Sequence, residues 1–494
     1  MPEVHSIPPS TKHIHIMGIG GTAMAALAGI LIETGYHVTG SDGNVIYPPM
    51  SDVLASLGIE AKIGYNASNL NPKPDLVVVG NVIRSSYEEA QALLASDIPY
   101  ISFPSLIGAA FIEGKQSIVV AGTHGKTTTT SIAAWLLEAA GANPGYLIGG
   151  KVSNFERTAR AGSGNFFAIE GDEYDTAFFD KGPKFLHYRP QTVILTSVEF
   201  DHADIYRDLD HCKESFKKLS AIVPQNGTIV ARWDHENVRD CVLSTRAQIR
   251  RYGPDQEWDG RIDAVDTDKG TMTFTVLHKG ASFGQFESIM VGEHNLYNQV
   301  AIVSALDAHG FSAEQLKNGF RTFKGIQRRQ ELLGSPKNIA IIDDFAHHPT
   351  AVKVTLEALR LRFGTRRIWS IFEPRSATSR RNIMQEEYAA SFDAADLVVI
   401  APPFDQSGIP PEERLNAHNL VKSIQARGKE AFVFGEAPNI SENWSTSDSA
   451  TAIVRSVLAQ AMPHDIIAIL SNGGFGGIHK KFLAEIPLKF SEQK

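Results

Sequence analysis

Three α/β domains in series, each built on a mainly parallel sheet, are what the sequence predicts, and three observations carry that prediction. The chain has 494 residues, and at roughly 150 residues per domain that length supplies about three cores. Apolar, β-branched runs recur, each followed by a Gly-rich or acidic turn and a helical stretch, which is the rhythm of doubly wound sheets. The rhythm restarts near Ser117 and near Ile339, which divides the chain into residues 1–113, 114–325 and 326–494.

The first unit is predicted to open with a strand at His13–Met17, a Gly-rich turn at Gly18–Gly21, a helix to about Thr34 and a strand at His37–Thr39. A further strand, Asp75–Val79, follows the Pro-rich Asn71–Pro74. The second unit starts with Ser117–Val120, turns through Gly122–Gly125 and continues as a helix from Thr127 to Ala140, closed by Gly141. Phe166–Ile169 and Thr192–Thr196 read as strands of the same sheet, and Ile262–Leu277 alternates as antiparallel hairpins do. Ile339–Ile342 opens the third unit, with Ile368–Phe372, Leu397–Ala401 and Ile466–Leu470 as later strands.

Composition narrows the function. Lys plus Arg (47) against Asp plus Glu (55) leaves a net charge of −8, which argues against an unspecific nucleic-acid coat or a polybasic membrane anchor. The longest apolar stretch, Ala23–Ile32, stops at Glu33 and is too short to span a bilayer. Met1–Lys12 has no basic start followed by an apolar core, and Cys212 and Cys241 are too few and too isolated for a thiolate cage. A cytoplasmic protein without membrane insertion is expected.

The chemistry concentrates in a few segments. Gly122-Thr123-His124-Gly125-Lys126-Thr127-Thr128 lies between a buried strand and a helix, where backbone N–H groups, a helix N-terminus and one Lys surround a point suited to phosphate oxygens. Lys126 would neutralise the β and γ phosphates, and Thr127 would offer a hydroxyl to Mg²⁺. Val120 stands where the full-length phosphate-loop pattern begins with Gly, so the match is to a shortened loop. A Gly turn beside a solvated Lys is the competing reading.

Glu170 opens Glu-Gly-Asp-Glu-Tyr-Asp, and Asp201-His202-Ala203-Asp204 follows the next strand. Both lie at strand C-termini, the edge that also bears the loop, so they are placed to converge on one Mg-ATP; taken singly, each also reads as a solvated turn. Gly18-Ile19-Gly20-Gly21-Thr22-Ala23, with Asp42 after the second strand, fits a nicotinamide cofactor, another diphosphate, or a tight turn alone. His294 opens a helix on which Asn295 and Asn298 share a face, able to meet an adenine edge or to cap the helix. Arg328-Arg329 precedes Asp343-Asp344-Phe345-Ala346-His347-His348-Pro349 at the second boundary, where domain closure would carry them to a nucleotide on the central domain.

Together, in this order, the segments resemble the Mur ligases, which make peptide bonds in cell-wall precursors. The resemblance implies a Rossmann-like UDP-binding first domain, a central P-loop ATPase-like domain and a Rossmann-like C-terminal domain that binds the peptide. Tyr47-Pro48-Pro49-Met50, Phe200–Ile205, Glu373-Pro374-Arg375-Ser376 and Ser471–His479 are similar to members that join UDP-N-acetylmuramate to L-alanyl-γ-D-glutamyl-meso-diaminopimelate in murein recycling. The L-alanine-adding members usually have a basic His-Arg pair where Arg375-Ser376 stand.

Carried over, the resemblance implies ATP and two Mg²⁺ ions, with Lys126, Glu170 and His202 as catalytic groups and Thr127, Glu170 and His202 as metal ligands. Gly122–Thr128, His294, Asn295, Asn298, Arg329 and Asp344 fall to ATP. Gly18, Gly20, Gly21, Thr22, Ser41, Asp42, Asn81 and Asn154 fall to the UDP-sugar; His348, Arg375, Ser376 and Asn472 fall to the tripeptide. Some relatives carry a carbamylated Lys after the metal His; Phe216 stands at the best-matching place, so none is assigned, and Lys213–Lys218 read as a wet helix face. The expected state is a monomer acting on small molecules, with no nucleic acid. An L-alanine ligase, a nicotinamide-dependent dehydrogenase built on the first domain, and a non-catalytic nucleotide-binding scaffold are the competing functions.

Overall fold

The computed structural model describes residues 3–47, 50–203, 205–434 and 446–490; Pro48, Pro49 and Asp204 of the segments above lie outside them. Among the described residues three large sheets follow one another along the chain, with a small antiparallel pair, Asp175–Ala177 and Asp180–Pro183, beside the second. The first has five parallel strands in the spatial order Lys62–Ile63, His37–Asp42, His13–Met17, Leu76–Val79 and Tyr100–Ser102. Leu76–Val79 is buried along its whole length, the reason it reads as a continuous apolar run. The order reverses between His13–Met17 and Leu76–Val79, so the crevice at their C-terminal ends, where the turn from Gly18 lies, is a topological switch point. His37–Asp42 runs past the predicted Thr39, which puts Ser41 and Asp42 within the strand.

The central sheet has ten strands: Ala281–Ser288, Thr271–His278, Trp258–Asp266, Gln248–Tyr252, Thr228–Arg232, Thr192–Leu195, Gln116–Ala121, Phe166–Gly171, Gly145–Leu147 and Ala159–Arg160, in spatial order. The six from Gln248–Tyr252 to Gly145–Leu147 are parallel, and Trp258–Ser288 adds the antiparallel meander that the alternation predicted. Phe166–Gly171 extends beyond Ile169, so Glu170 is still a strand residue, in register with Val120 of the loop-bearing strand. In the helix Leu209–Ile222, Phe216 is fully buried and stacks toward Phe185 at 5.8 Å, while Lys217 and Lys218 are exposed and Lys213 pairs with Asp240.

The third sheet runs Glu331–Gly334, Ala340–Asp344, Ile466–Leu470, Ile368–Phe372, Leu397–Ile400 and Glu430–Val433, parallel except for its first strand. Trp369 and Phe372 sit in separate cores on its two faces, each fully buried; truncating either to Ala is expected to cost about 3–5 kcal/mol. Among the described residues no helix is long and apolar enough to cross a membrane.

Candidate active site

The C-terminal edge of the central sheet faces the third domain across a cavity of about 450 Å³. Thr123–Thr128, His202, His294, Asn295 and Asn298 line it from the central domain; Arg329, Asp344, His347, Ser376 and Asn472 line it from beyond the second boundary.

Local geometry builds the loop. Gly122 (φ +127) and Gly125 (φ +80) occupy backbone conformations that side chains disfavour. A Cβ on Gly125 would lie 2.9 Å from Asn298 Oδ1, so the loop closes directly on the helix Glu293–Asp307. Gly125 is also the cap of the helix Lys126–Ala139, whose first free N–H groups lie in the cavity wall. Lys126 Nζ donates to Gly122 O at 2.6 Å and pairs with Glu173 Oε2 at 3.0 Å.

Two carboxylates organise the phosphate end. Glu170 accepts from the Thr127 hydroxyl at 3.0 Å and from Gly149 N–H at 2.6 Å, and burial nevertheless pushes its carboxyl pKa up. A carboxylate beside a hydroxyl oxygen at the cavity edge is an oxygen donor set that suits Mg²⁺. Glu173 bridges Lys126 to His202, whose Nε2 lies 3.2 Å away, and His202 Nδ1 is hydrogen-bonded to the Tyr174 hydroxyl at 2.6 Å. Burial opposes a charge on His202, but the bond to Glu173 and the field of Asp201 outweigh it and raise its pKa.

The segment before His202 is gripped by the third domain. Glu199 accepts the Thr350 hydroxyl at 2.6 Å, Phe200 O accepts from His348 Nε2 at 3.3 Å, and Asp201 Oδ1 accepts the Thr378 hydroxyl at 2.7 Å. Asp201 Oδ1 also accepts His202 N–H at 2.8 Å, and His202 itself has φ +56. Desolvation acts against ionisation of Asp201, yet His347 and His202 hold its carboxyl far below the usual range.

Arg329 Nη2 donates to Thr127 Oγ1 at 3.3 Å and lies near Asp344, which is fixed by Gln330 N–H and Ala346 N–H at 2.8 Å each. Asn295 gives its amide N–H to Val291 O at 3.0 Å, and Asn298 donates to Asn295 Oδ1 at 3.4 Å. Burial, reinforced by Arg232 and His124, lowers the His294 pKa to about 4.

In the first domain Gly18 N–H donates to Ser41 O at 2.8 Å and Gly20 N–H to Asp42 Oδ2 at 2.9 Å. A Cβ on Gly20 would stand 2.8 Å from that carboxylate, and one on Gly18 would meet Val82 at 3.3 Å, so the segment after Gly80, with exposed Asn81, flanks the turn.

Four expected ligand residues are placed differently. The Ser41 hydroxyl turns inward to Glu89 at 2.9 Å, leaving its carbonyl at the turn. Asn154 spends both side-chain atoms on the Thr322–Lys324 segment. His348 packs between Glu199, Phe200 and His124 instead of lining the cavity. Arg375 lies over Phe404 at 3.8 Å and against Glu373 at 3.5 Å, because Gly473 leaves a slot that a Cβ would fill. Glu173, Glu199 and Thr378 are functional positions the sequence does not single out; the first belongs to the acidic run that Glu170 opens.

The fold and cavity define a three-domain α/β protein whose phosphate-type loop, at the edge of the central sheet, opens onto the third domain. Family models match almost end to end: the Mur ligase family catalytic domain over residues 13–113, the Mur ligase middle domain over 120–306, and the Mur ligase glutamate ligase domain over 328–473. A UDP-N-acetylmuramate–L-alanyl-γ-D-glutamyl-meso-2,6-diaminoheptandioate ligase from Escherichia coli K12 is 39% identical over 472 residues, 95% of this chain and 97% of that one. A UDP-N-acetylmuramate–L-alanine ligase from Caldanaerobacter subterraneus is 32% identical over 87% of this chain and 91% of its own length. The crystal structure of a murein peptide ligase from Psychrobacter arcticus matches with a TM-score of 0.68 and 33% identity, covering 96% of this chain and 99% of that one. The chain belongs to the Mur ligase family, ATP- and Mg²⁺-using enzymes that form a carbon–nitrogen bond.

Proposed function

We propose that this ligase joins UDP-N-acetylmuramate to the tripeptide L-alanyl-γ-D-glutamyl-meso-diaminopimelate, converting ATP to ADP and phosphate, in the cytoplasmic recycling of murein. One observation carries the ligase chemistry: Lys126, Thr127 and His202 of the central domain meet Arg329 and Asp344 on a single cavity, with Glu170 bonded to Thr127. The tripeptide as donor is supported by the higher identity to the relative that bears that name, 39% against 32% for the alanine-adding one. Ser376, in place of a basic residue, lines the same cavity.

A carboxylate is a poor electrophile, because attack must expel oxide and meets the group's own negative charge. The lactyl carboxylate therefore first attacks the γ phosphorus of ATP, ADP leaves, and an acyl phosphate forms. Lys126 follows the migrating phosphoryl charge by exchanging Glu173 for phosphate oxygens. Thr127 and Glu170 would hold one Mg²⁺ and His202 a second, and these ions supply charge neutralisation at the phosphates and the acyl oxygen. The neutral amine of the tripeptide's alanine then attacks the acyl carbon, and phosphate departs from the tetrahedral intermediate with the oxygen it received from the carboxylate and with the proton the nitrogen loses. Thr350, Thr378 and His348 keep the third domain seated on residues 199–201, which restricts water at the acyl phosphate.

The UDP moiety is assigned to the Gly18–Thr22 turn and Asp42, and the domains to residues 1–113, 114–325 and 326–494 of a monomer. Phosphate release across amine donors tests the reading: the tripeptide should support turnover in the presence of UDP-N-acetylmuramate. Turnover with L-alanine in preference to the tripeptide would transfer the chain to the alanine-adding branch.

A further inference from the structure

Three side chains outside the proposed Mg²⁺ positions converge from three segments: His124 on the phosphate loop, Glu199 after the strand Thr192–Leu195, and His348 capping the helix Pro349–Phe363 of the third domain. One donor atom from each lies within 4.8 Å of the other two. His124 Nε2 is 3.6 Å and His348 Nδ1 3.8 Å from Glu199 Oε2.

These separations are too long for hydrogen bonds. They are close to the roughly 3.3 Å edge of a tetrahedron around an ion with bonds of about 2.0–2.1 Å. The remaining contacts point the same way. His348 Nε2 donates to Phe200 O at 3.3 Å, which leaves the ring's lone pair on Nδ1, the atom that faces Glu199; the long 3.3 Å contact from Thr350 N–H to that Nδ1 is the bond an ion would replace. Burial keeps that ring neutral, its pKa lowered to about 4. Glu199 Oε2 is already an acceptor from Thr350, and His124 Nε2 is shielded from solvent with no hydrogen-bond partner among the described residues.

We infer that His124, Glu199 and His348 form a binding site for one nitrogen-preferring divalent cation of the Zn²⁺ type, distinct from the Mg²⁺ positions, and that its occupancy pins the phosphate loop to the third domain. Two imidazoles and a carboxylate match a zinc donor set with an open fourth position, whereas Mg²⁺ prefers an all-oxygen shell. An ion bound here ties together the two domains that ATP enters between, so it slows turnover even when Mg²⁺ is in excess.

Co²⁺ titration of the full-length protein, stripped with chelator and kept in excess Mg²⁺, tests the site without relying on activity. The visible absorption of four- or five-coordinate Co²⁺ should saturate at one ion per chain, vanish when Zn²⁺ is added, and weaken in affinity by about tenfold or more in both H124N and H348N. Near-ultraviolet circular dichroism and the thermal unfolding midpoint check that each variant keeps its packed domains; the two variants lie on different domains, so loss of one fold leaves the other decisive. Absence of the band in the unaltered protein, or a band that persists at full affinity in a folded variant, overturns the proposal.

Discussion

Lys126 and Glu173 form an ion pair of 3.0 Å in which the carboxylate is only 2% exposed, and the same carboxylate lies 3.2 Å from His202. One buried anion therefore sets the position of the phosphate-loop cation and of the proposed second metal ligand together. Glu173→Gln keeps the shape and removes the charge. Its kcat is expected to fall by about 10–100-fold, on the scale of a buried charge-assisted hydrogen bond worth roughly 1.5–3 kcal/mol. The dissociation constant for UDP-N-acetylmuramate should not move; steady-state kinetics beside equilibrium binding separates the two.

Thr378 reaches across the domain boundary to Asp201, whose same oxygen holds His202 N–H. Thr378→Val is nearly isosteric and leaves that buried acceptor short of a donor, a loss of roughly 1–3 kcal/mol. The expected outcome is a lower kcat with the KM for UDP-sugar unchanged, restored by Thr378→Ser. Equal activity of the Val and Thr proteins would show that the contact does not position His202.

Acid lability follows from His294. Its pKa in the folded protein is about 4, below the ordinary 6.5, because burial and then the charges of Arg232 and His124 disfavour the imidazolium. The unfolded chain therefore binds the extra proton between about pH 6.5 and 4, and stability falls as pH drops through that window and levels off below it. Thermal unfolding of His294→Asn should show a flatter midpoint-against-pH curve than the unaltered protein across the same range.

The first-domain turn has no room beside Gly20, since an added Cβ would stand 2.8 Å from Asp42 Oδ2 and 2.9 Å from Ile46. Gly20→Ala is expected to weaken UDP-sugar binding by about tenfold or more, with ATP affinity kept, because a turn that opens loses its N–H alignment toward the diphosphate. Calorimetry with each nucleotide separately reads both effects.

What was legible in the sequence was local. The loop at Gly122–Thr128 announces itself because strand, glycines and helix are contiguous; Glu170 stands at the end of one strand of that sheet and His202 in the segment that follows another. Glu173 was hidden in a run with three other acids, where no periodicity says which carboxylate turns inward. Glu199 meets Thr350 across 151 residues, a contact set by how two domains dock and not by any spacing. Arg375 packs outside the cavity lining for a similar reason: its slot is made by Phe404 and Gly473, and nothing near Arg375 in the chain reveals that a glycine will stand opposite.

Transfer of ATP's terminal phosphoryl group to the sugar's carboxylate, at the loop around Lys126, is the step on which the proposed function rests. Its most direct test uses UDP-N-acetylmuramate labelled with ¹⁸O in the lactyl carboxylate, with the released phosphate analysed by mass spectrometry after turnover with the tripeptide. One labelled oxygen is expected in each phosphate formed from doubly labelled substrate. Phosphate free of label, alongside normal product formation, would contradict it.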